Sequence, residues 1–377
     1  MGPTRALLER LGHPERHFSA IHIGGTNGKG SVAVLVHAAL RASGVRTALY
    51  TSPHLVDVRE RMIVDVRPIP AEAFAQWTAV LQDAVVDTGA SFFEATTAIA
   101  FADFAARDAD VAVVEVGLGG RLDSTNVLEP VACAVTHVAR DHADYLGESL
   151  EGIAREKAGI AKSGVPFVLG ETDPQLAAVM RRVAEEAGAL VMVVPPDAAY
   201  ADPLALAGAH QRRNAAVAEA LLGALPEALR PSAAAVRSGF QAASLPGRFE
   251  TRGKWVFDVA HNPGGMAALV AELRVQRPPG PVHALVGILG DKDWAGMIEA
   301  LAGAVDRIWA SAPPSAPPER AWDLAAVSER FPAVVVEPDF GRALEAVQDG
   351  AETVIVAGSF HTVGDAMARL PGFAPLR

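Results

Sequence analysis

The sequence predicts an α/β protein in two parts: a parallel-sheet domain built around a phosphate-binding P-loop, followed by a smaller Rossmann-like α/β domain. Three observations carry that expectation. First, a glycine-rich stretch, Gly24-Gly25-Thr26-Asn27-Gly28-Lys29-Gly30-Ser31, stands between an apolar run, Phe18 to Ile23, and a helical pattern with Val32, Leu35, Val36, Ala39 and Leu40 on one side. Second, short apolar runs alternate with helical patterns along most of the chain, the signature of a parallel sheet covered by helices. Third, 377 residues exceed one typical core, and Ser244-Leu245-Pro246-Gly247-Arg248 reads as a linker between two such series. The expected domains are therefore 1–245 and 246–377.

The elements follow in order. Residues 4–11 form a short helix with Leu7, Leu8 and Leu11 on one face. After the glycine loop and its helix, 46–50 is a strand that runs into Thr51-Ser52-Pro53-His54-Leu55, where Pro53 biases Ser52 away from helix. Residues 56–69, charged apart from Met62 to Val64, read as a surface loop or small ribbon. Helices are expected at 71–86, 94–107, 149–161, 174–187, 210–223 and 232–242, and strands at 111–116, 131–135, 165–169 and 189–194. Residues 195–208 have no clear period. In the second domain strands are expected at 254–259, 282–287, 305–310, 333–336 and 353–357, with helices at 264–275, 294–303, 321–330, 340–348 and 362–369. The proline-rich 312–318 is a surface loop.

The glycine loop has the context that phosphate binding needs. Glycines let backbone N–H groups close around phosphate oxygens, and a helix N-terminus adds favourable partial charge. Lys29 would reach the terminal phosphates, and Ser31 offers a hydroxyl where such loops hold phosphate or magnesium. The spacing departs from the usual G-x-x-x-x-G-K-[ST], because Gly30 separates Lys29 from Ser31. This makes the first domain ATPase-like. Lys and Arg number 33 against 44 Asp and Glu, a net charge of −11, which argues against non-specific binding to nucleic acid or an anionic membrane. The single cysteine, Cys133, has no internal partner and apolar neighbours, which fits a buried residue in a reducing, cytoplasmic compartment. The N-terminus lacks the apolar core of a signal peptide, and no stretch approaches a transmembrane span.

Four polar groups near predicted strand ends or helix starts are more polar than a core needs: Ser52 with His54, Glu115 before three glycines, Asp141-His142-Ala143-Asp144, and Glu156-Lys157-Ala158-Gly159. Singly, a His beside an Asp is an ordinary surface pair and Glu-Lys on a helix an ordinary solvated face. Glu115 is well placed to hold magnesium, directly or through water.

Together these residues resemble the folylpolyglutamate synthase and dihydrofolate synthase family, within the Mur ligase superfamily. The resemblance rests on Gly25 to Ser31, Thr51 to Leu55, Phe92-Phe93-Glu94, Glu115 to Asp123, Asp141-His142, Tyr145-Leu146-Gly147, Glu156 to Ile160, His210-Gln211 with Asn214, Pro246 to Glu250 and Asp258 to Pro263. It implies that Thr26, Asn27, Gly28, Lys29, Gly30 and Ser31 hold the ATP phosphates, with Lys29 catalytic. It further implies that Ser52, Glu115 and His142 hold Mg²⁺, His142 also serving catalysis. Lys157 would be carbamylated, turning a cation into an anion able to bind a second Mg²⁺. That modification requires a neutral amine, so Lys157 is expected where its charged form is disfavoured. Asn214, Arg248 and Asp258 would bind nucleotide, as would the motif position His261. Ser91, Phe92, Phe93, Glu94, Leu122, Asp123 and Ser124 would face the pterin.

The implied reaction is ATP-dependent addition of L-glutamate to a folate, and also to dihydropteroate, through an acyl phosphate. The implied partners are small molecules alone, and the implied state is a cytoplasmic monomer. Relatives in the family begin with an extra N-terminal segment that helps bind dihydropteroate, and this chain starts near Met1-Gly2-Pro3-Thr4-Arg5, so polyglutamylation is the firmer expectation. One alternative is a cell-wall Mur-type amino-acid ligase, against which the Phe92-Phe93-Glu94 and Glu115 to Asn126 blocks argue. Another is a nucleotide-dependent binding switch, for which no Asn-Lys-x-Asp guanine-reading motif is present.

Overall fold

The computed structural model describes residues 1–139, 147, 149–373 and 376. Two compact units emerge. The first comprises Met1–His54, Val58–Ala205 and His210–Ser244, and the second Leu55–Asp57, Leu206–Ala209 and Leu245–Arg377. The α/β class and the mostly parallel sheets agree with expectation. Among the described residues no helix is long and apolar enough to cross a membrane.

The first unit is organised on strands β1 (Ser19–Gly24), β2 (Thr47–Tyr50), β3 (Met62–Val64), β4 (Arg67–Pro68), β5 (Val111–Glu115), β6 (Pro130–Val135), β7 (Pro166–Leu169) and β8 (Leu190–Val193). Their order across the sheet is β4-β3-β2-β5-β1-β6-β7-β8. Six strands are parallel, and β3 and β4 add antiparallel to the β2 edge, so the expected ribbon over 56–69 joins the sheet. Register fixes the site: Ile23 lies opposite Glu115, Gly24 opposite Val135 and Tyr50 opposite Val114. The carboxyl ends of β1, β2, β5 and β6 therefore finish together, where parallel α/β sheets bind ligands.

Helices of this unit are α1 (Gly2–Arg10), α2 (Lys29–Ala42), α3 (Ala71–Thr88), α4 (Phe92–Ala106), α5 (Leu150–Ala158), α6 (Pro174–Glu186), α7 (Ala209–Gly223) and α8 (Ala233–Ala242). One buried cluster joins Leu7 and Leu8 of α1 to Tyr50, Phe101 and Phe104, and another joins Cys133 and Phe167 to Ile153 and Met180. Burial pushes the Cys133 thiol up to about 12. Helix α4 starts at Phe92 rather than at 94. Ser91 accepts from the Glu94 N–H while the Glu94 carboxylate accepts from the Ser91 N–H, a capping box that starts the helix two residues earlier.

The second unit holds β9 (Glu250–Arg252), β10 (Trp255–Asp258), β11 (Val282–Val286), β12 (Arg307–Ala310), β13 (Val335–Val336) and β14 (Thr353–Ala357), in the order β13-β12-β11-β14-β10-β9. All pairs are parallel except β9 with β10. Strand β9 was not foreseen in the sequence, and the last strand, β14, inserts between β10 and β11. Helices α9 (Pro263–Gln276), α10 (Trp294–Ala302), α11 (Leu324–Arg330), α12 (Phe340–Ala346) and α13 (Phe360–Arg369) complete the layers. The expected helix 321–330 is shorter because Asp323 caps it and Trp322 turns into the core.

Candidate active site

The glycine loop leaves β1 and enters α2 with left-handed backbone at two glycines. Gly25 has φ 139° and Gly28, the cap of α2, has φ 90°. A Cβ on Gly25 would stand 2.0 Å from Thr136 Oγ1, and one on Gly28 would stand 2.4 Å from Asn214 Oδ1. Both positions thus demand glycine on conformational and steric grounds. The loop is pinned to the residues after β6. The Thr26 N–H donates to the His137 carbonyl at 2.6 Å, and the Thr136 hydroxyl donates to the Asn27 carbonyl at 2.7 Å. The Thr26 hydroxyl donates to the Ala139 carbonyl at 3.2 Å and lies 3.1 Å from the Ala139 N–H. Asn214, distant in sequence, stands beside Gly28 and donates to Gln211 Oε1 at 3.0 Å. Ser31 is buried in the first turn of α2.

Lys29 folds back over the loop. Its Nζ donates to the Thr26 carbonyl at 3.1 Å and lies 3.8 Å from Glu115 Oε1. Glu115, at the end of β5 and 5% exposed, accepts from the Ser52 N–H at its other oxygen, 3.0 Å away. The Ser52 hydroxyl and Glu115 carboxylate are hard oxygen donors of the kind Mg²⁺ takes, so this pair fits the ion. Lys157 of α5 is buried and its Nζ donates to the Gly25 carbonyl at 2.8 Å. The structure therefore gathers Thr26, Lys29, Ser52, Glu115, Lys157 and Asn214 about one loop. His142, with Arg140, Asp141 and Asp144, lies outside the described residues.

The residues expected to face the pterin divide by what they touch. Ser91 and Glu94 cap α4, and Glu94 also accepts from the Thr4 hydroxyl at 3.4 Å and lies 3.7 Å from the chain's amino group. Burial pushes the Glu94 carboxyl up, but hydrogen bonds from Ser91 and the nearby amino group bring it below its usual value. Asp123 is buried and accepts from the Leu118 and Thr125 N–H groups and the Thr125 hydroxyl. Burial raises its pKa against those bonds. Ser124 is buried beside it. The Phe93 ring lies over Gly117, where a Cβ would come within 2.3 Å of it. Phe92 and Leu122 instead present their side chains to solvent, 59% and 61% exposed.

Two participants had no local sequence signal. His22, fully buried in β1, lies with Nε2 2.8 Å from Thr125 Oγ1. Because the Thr125 hydroxyl donates to Asp123, the His22 Nε2–H donates to Thr125, leaving Nδ1 buried with no hydrogen-bond partner among the described residues. Arg61 is a buried arginine in a stretch that reads as a charged surface loop. Thr136 had the same signal as Glu115, a polar residue just past a buried strand.

In the second unit, Asp258 ends β10 and turns the chain back on itself. Its carboxylate accepts from the Phe249 and Ala260 N–H groups, both at 2.9 Å. Burial raises its pKa while the Arg248 charge and those bonds oppose the rise. The Arg248 guanidinium stacks 4.9 Å from the Phe360 ring centre, and the His261 ring lies 5.5 Å from the same ring. Arg248, Asp258 and His261 are thus one cluster, closed by Asn262, which caps α9 through the Gly265 N–H at 2.8 Å.

A phosphate loop on a parallel sheet, followed in the chain by a second α/β unit, is the domain order of the Mur ligase class. Residues 23–202 match the Mur ligase middle domain, and residues 247–360 match the Mur ligase glutamate ligase domain. The chain belongs to the folylpolyglutamate synthase/dihydrofolate synthase family. It is 36% identical to the dihydrofolate synthase/folylpolyglutamate synthase of Escherichia coli over 92% of this chain and 85% of that one. An E. coli FolC structure in complex with DHPP and ADP superposes with TM-score 0.88 at 33% identity, covering 98% of this chain and 92% of the other. A bifunctional folylpolyglutamate synthase/dihydrofolate synthase with Mn, AMPPNP and L-glutamate bound matches with TM-score 0.85 at 34% identity, covering 98% and 93%. The chain spans about half the length of two haloarchaeal relatives, each named probable bifunctional folylpolyglutamate synthase/dihydropteroate synthase.

Proposed function

We propose that this chain is an ATP-dependent ligase that adds L-glutamate to folates, and also to dihydropteroate, through an acyl-phosphate intermediate. The observation that carries the reading is the gathering of Lys29, Glu115, Ser52 and Lys157 about the loop Gly25 to Ser31. A carboxylate is too poor an electrophile for amide formation. Transfer of the γ-phosphoryl group of ATP to an acceptor carboxylate oxygen releases ADP and leaves an acyl phosphate. The glutamate amine then attacks the acyl carbon, phosphate leaves with the C–O electron pair, and the amine loses a proton.

Lys29 offsets charge on the transferred group, and the loop N–H groups hold the phosphate chain in line. Glu115, Ser52 and His142 would hold Mg²⁺, which when bound neutralises phosphate charge. Carbamylation of Lys157 would convert a buried cation into an anionic oxygen ligand. Asn214 meets the nucleotide at the loop, and Arg248, Asp258 and His261 serve it from residues 246–377, with 1–245 as the ATP-binding domain. Phe92, Phe93 and Leu122 face the acceptor, and Ser91, Glu94, Asp123 and Ser124 hold those side chains in place. The enzyme works as a monomer in the cytoplasm, a setting that its one buried cysteine fits.

The test is phosphate release by the purified protein with Mg-ATP and L-glutamate, using dihydropteroate in one tube and a reduced folate in another, with product mass read alongside. Release with both, each acceptor gaining one glutamate, supports the bifunctional reading. Release with the reduced folate alone removes the first activity. Release with neither overturns the proposal in favour of another Mur-type substrate. Sedimentation of the same sample checks the monomer.

A further inference from the structure

Arg61 ends the turn Val58–Arg61 that leads into β3, and its own carbonyl accepts from the Thr51 N–H at 3.1 Å. Its side chain is 8% exposed, yet among the described residues no carboxylate lies within ion-pair distance of it. Nε donates to His54 Nδ1 at 2.9 Å, which makes His54 a neutral acceptor at that nitrogen. The guanidinium stands 5.4 Å from the ring centre of Phe92, whose own ring is open to solvent. Burial disfavours its charge, while Tyr50 and the Glu115 carboxylate favour it. A buried guanidinium is ordinarily paired, because desolvating an unpaired charge is costly. Here Tyr50 offers a neutral hydroxyl rather than an anion, the Phe92 ring beside the guanidinium is exposed, and the supporting anion, Glu115, already receives Ser52 and faces Lys29.

We propose that Arg61 is a catalytic residue that binds the carboxylate of an aromatic acid, the acceptor of the phosphoryl group, with that substrate's ring against Phe92. This rests on the ligase reading above. The planar fork of a guanidinium matches a carboxylate with two parallel N–H bonds, which lysine does not reproduce. One N–H is committed to His54 and another to the Tyr50 hydroxyl, and the remaining guanidinium donors bind the substrate carboxylate. The same donors stay bonded to oxygen as the carboxylate becomes an acyl phosphate, so the contact orients the nucleophilic oxygen toward the phosphate loop.

The experiment measures steady-state kinetics and direct dihydropteroate binding for the full chain, Arg61→Gln and Arg61→Lys. In Arg61→Gln, kcat/KM for the acceptor is expected to fall about 10²-fold, with KM for ATP and for glutamate changed less than about threefold. Arg61→Lys, which keeps the cation and most of the packing, is expected to recover part of the loss. Equal losses for all three substrates, or wild-type acceptor kinetics in Arg61→Gln, overturn the assignment. Wild-type turnover with unchanged kinetics in Arg61→Gln sinks Arg61 alone. No wild-type turnover, but dihydropteroate binding that Arg61→Gln weakens at least about tenfold, sinks the ligase reading and keeps the Arg61 contact. A wild type that turns over neither acceptor and does not bind dihydropteroate overturns both. Should Arg61→Gln not fold, Arg61→Lys alone decides: an acceptor kcat/KM within about twofold of wild type overturns the bidentate contact.

Discussion

Lys157 Nζ donates to the Gly25 carbonyl at 2.8 Å, across 132 residues of sequence, and so ties helix α5 to the first turn of the phosphate loop. Replacing Lys157 with Ala removes that tie and the proposed carbamate together. Glutamate addition is expected to fall at least about 10²-fold, while the unmet Gly25 carbonyl costs about 1–3 kcal/mol of stability. Turnover and urea unfolding of the variant separate the two effects. Native mass spectrometry in bicarbonate should show one added CO₂ on the wild type and none on Lys157→Ala.

Glu115 gives one oxygen to the Ser52 N–H and turns the other toward Lys29. Glu115→Gln keeps the size and the acceptor oxygen for Ser52 but loses the charge. The magnesium concentration needed for half-maximal phosphate release is expected to rise about tenfold or more. A magnesium titration identical to wild type would remove Glu115 from the metal site.

Ser91 and Phe92 are adjacent but do different work. Ser91→Ala breaks the capping box of α4 and is expected to cost about 1 kcal/mol of unfolding free energy, with acceptor KM raised less than by Phe92→Ala. Phe92→Ala exposes no core and is expected to leave stability within about 0.5 kcal/mol while raising acceptor KM several-fold. Unfolding curves and acceptor kinetics on both variants check the division.

His22 and His37 are buried neutral. Burial, with Lys162 nearby, pushes His22 down to about 3, and burial with Arg41 nearby pushes His37 down to about 4. Below pH 6.5 the unfolded chain therefore binds protons that the folded chain refuses. Their contribution to stability is whole above pH 6.5 and is lost as pH falls toward 4, at up to about 1.4 kcal/mol per pH unit for each histidine. Asp123 and Asp258, raised by burial, act in the opposite direction, so the comparison is between wild type and His22→Gln at each pH. The variant is expected to show a shallower acid limb in urea unfolding.

The loop Gly24 to Ser31 was legible because its signal is local: a buried strand, glycines at forced positions, and a lysine where the helix begins. Glu115 was legible for a related reason, since a carboxylate at the end of an apolar strand has no packing role, whereas Asp258 was singled out only by the resemblance. The contact of His22 with Thr125 spans 103 residues, and only the register of β1 in the sheet brings them together. Arg61 sits among charges that look solvated until β3 pairs with β2. Ser91 and Glu94 did carry a local signal, the S-x-x-E spacing of a capping box, but the resemblance assigned them to the acceptor. Strand β9 is three residues long and antiparallel, too short for its alternation to register in sequence.

Cys133 has a consequence for how this protein can be watched. Its thiol is buried in β6 and holds its proton far above neutral pH, and it is the chain's one cysteine. Maleimide dyes react with exposed thiolates, so the natural sequence is already silent to them. One cysteine introduced at exposed Val86 of the first unit and another at exposed Val275 of the second would be the chain's only fast-reacting thiols. Energy transfer between dyes at those two positions would then follow the two units during turnover, with no native residue removed.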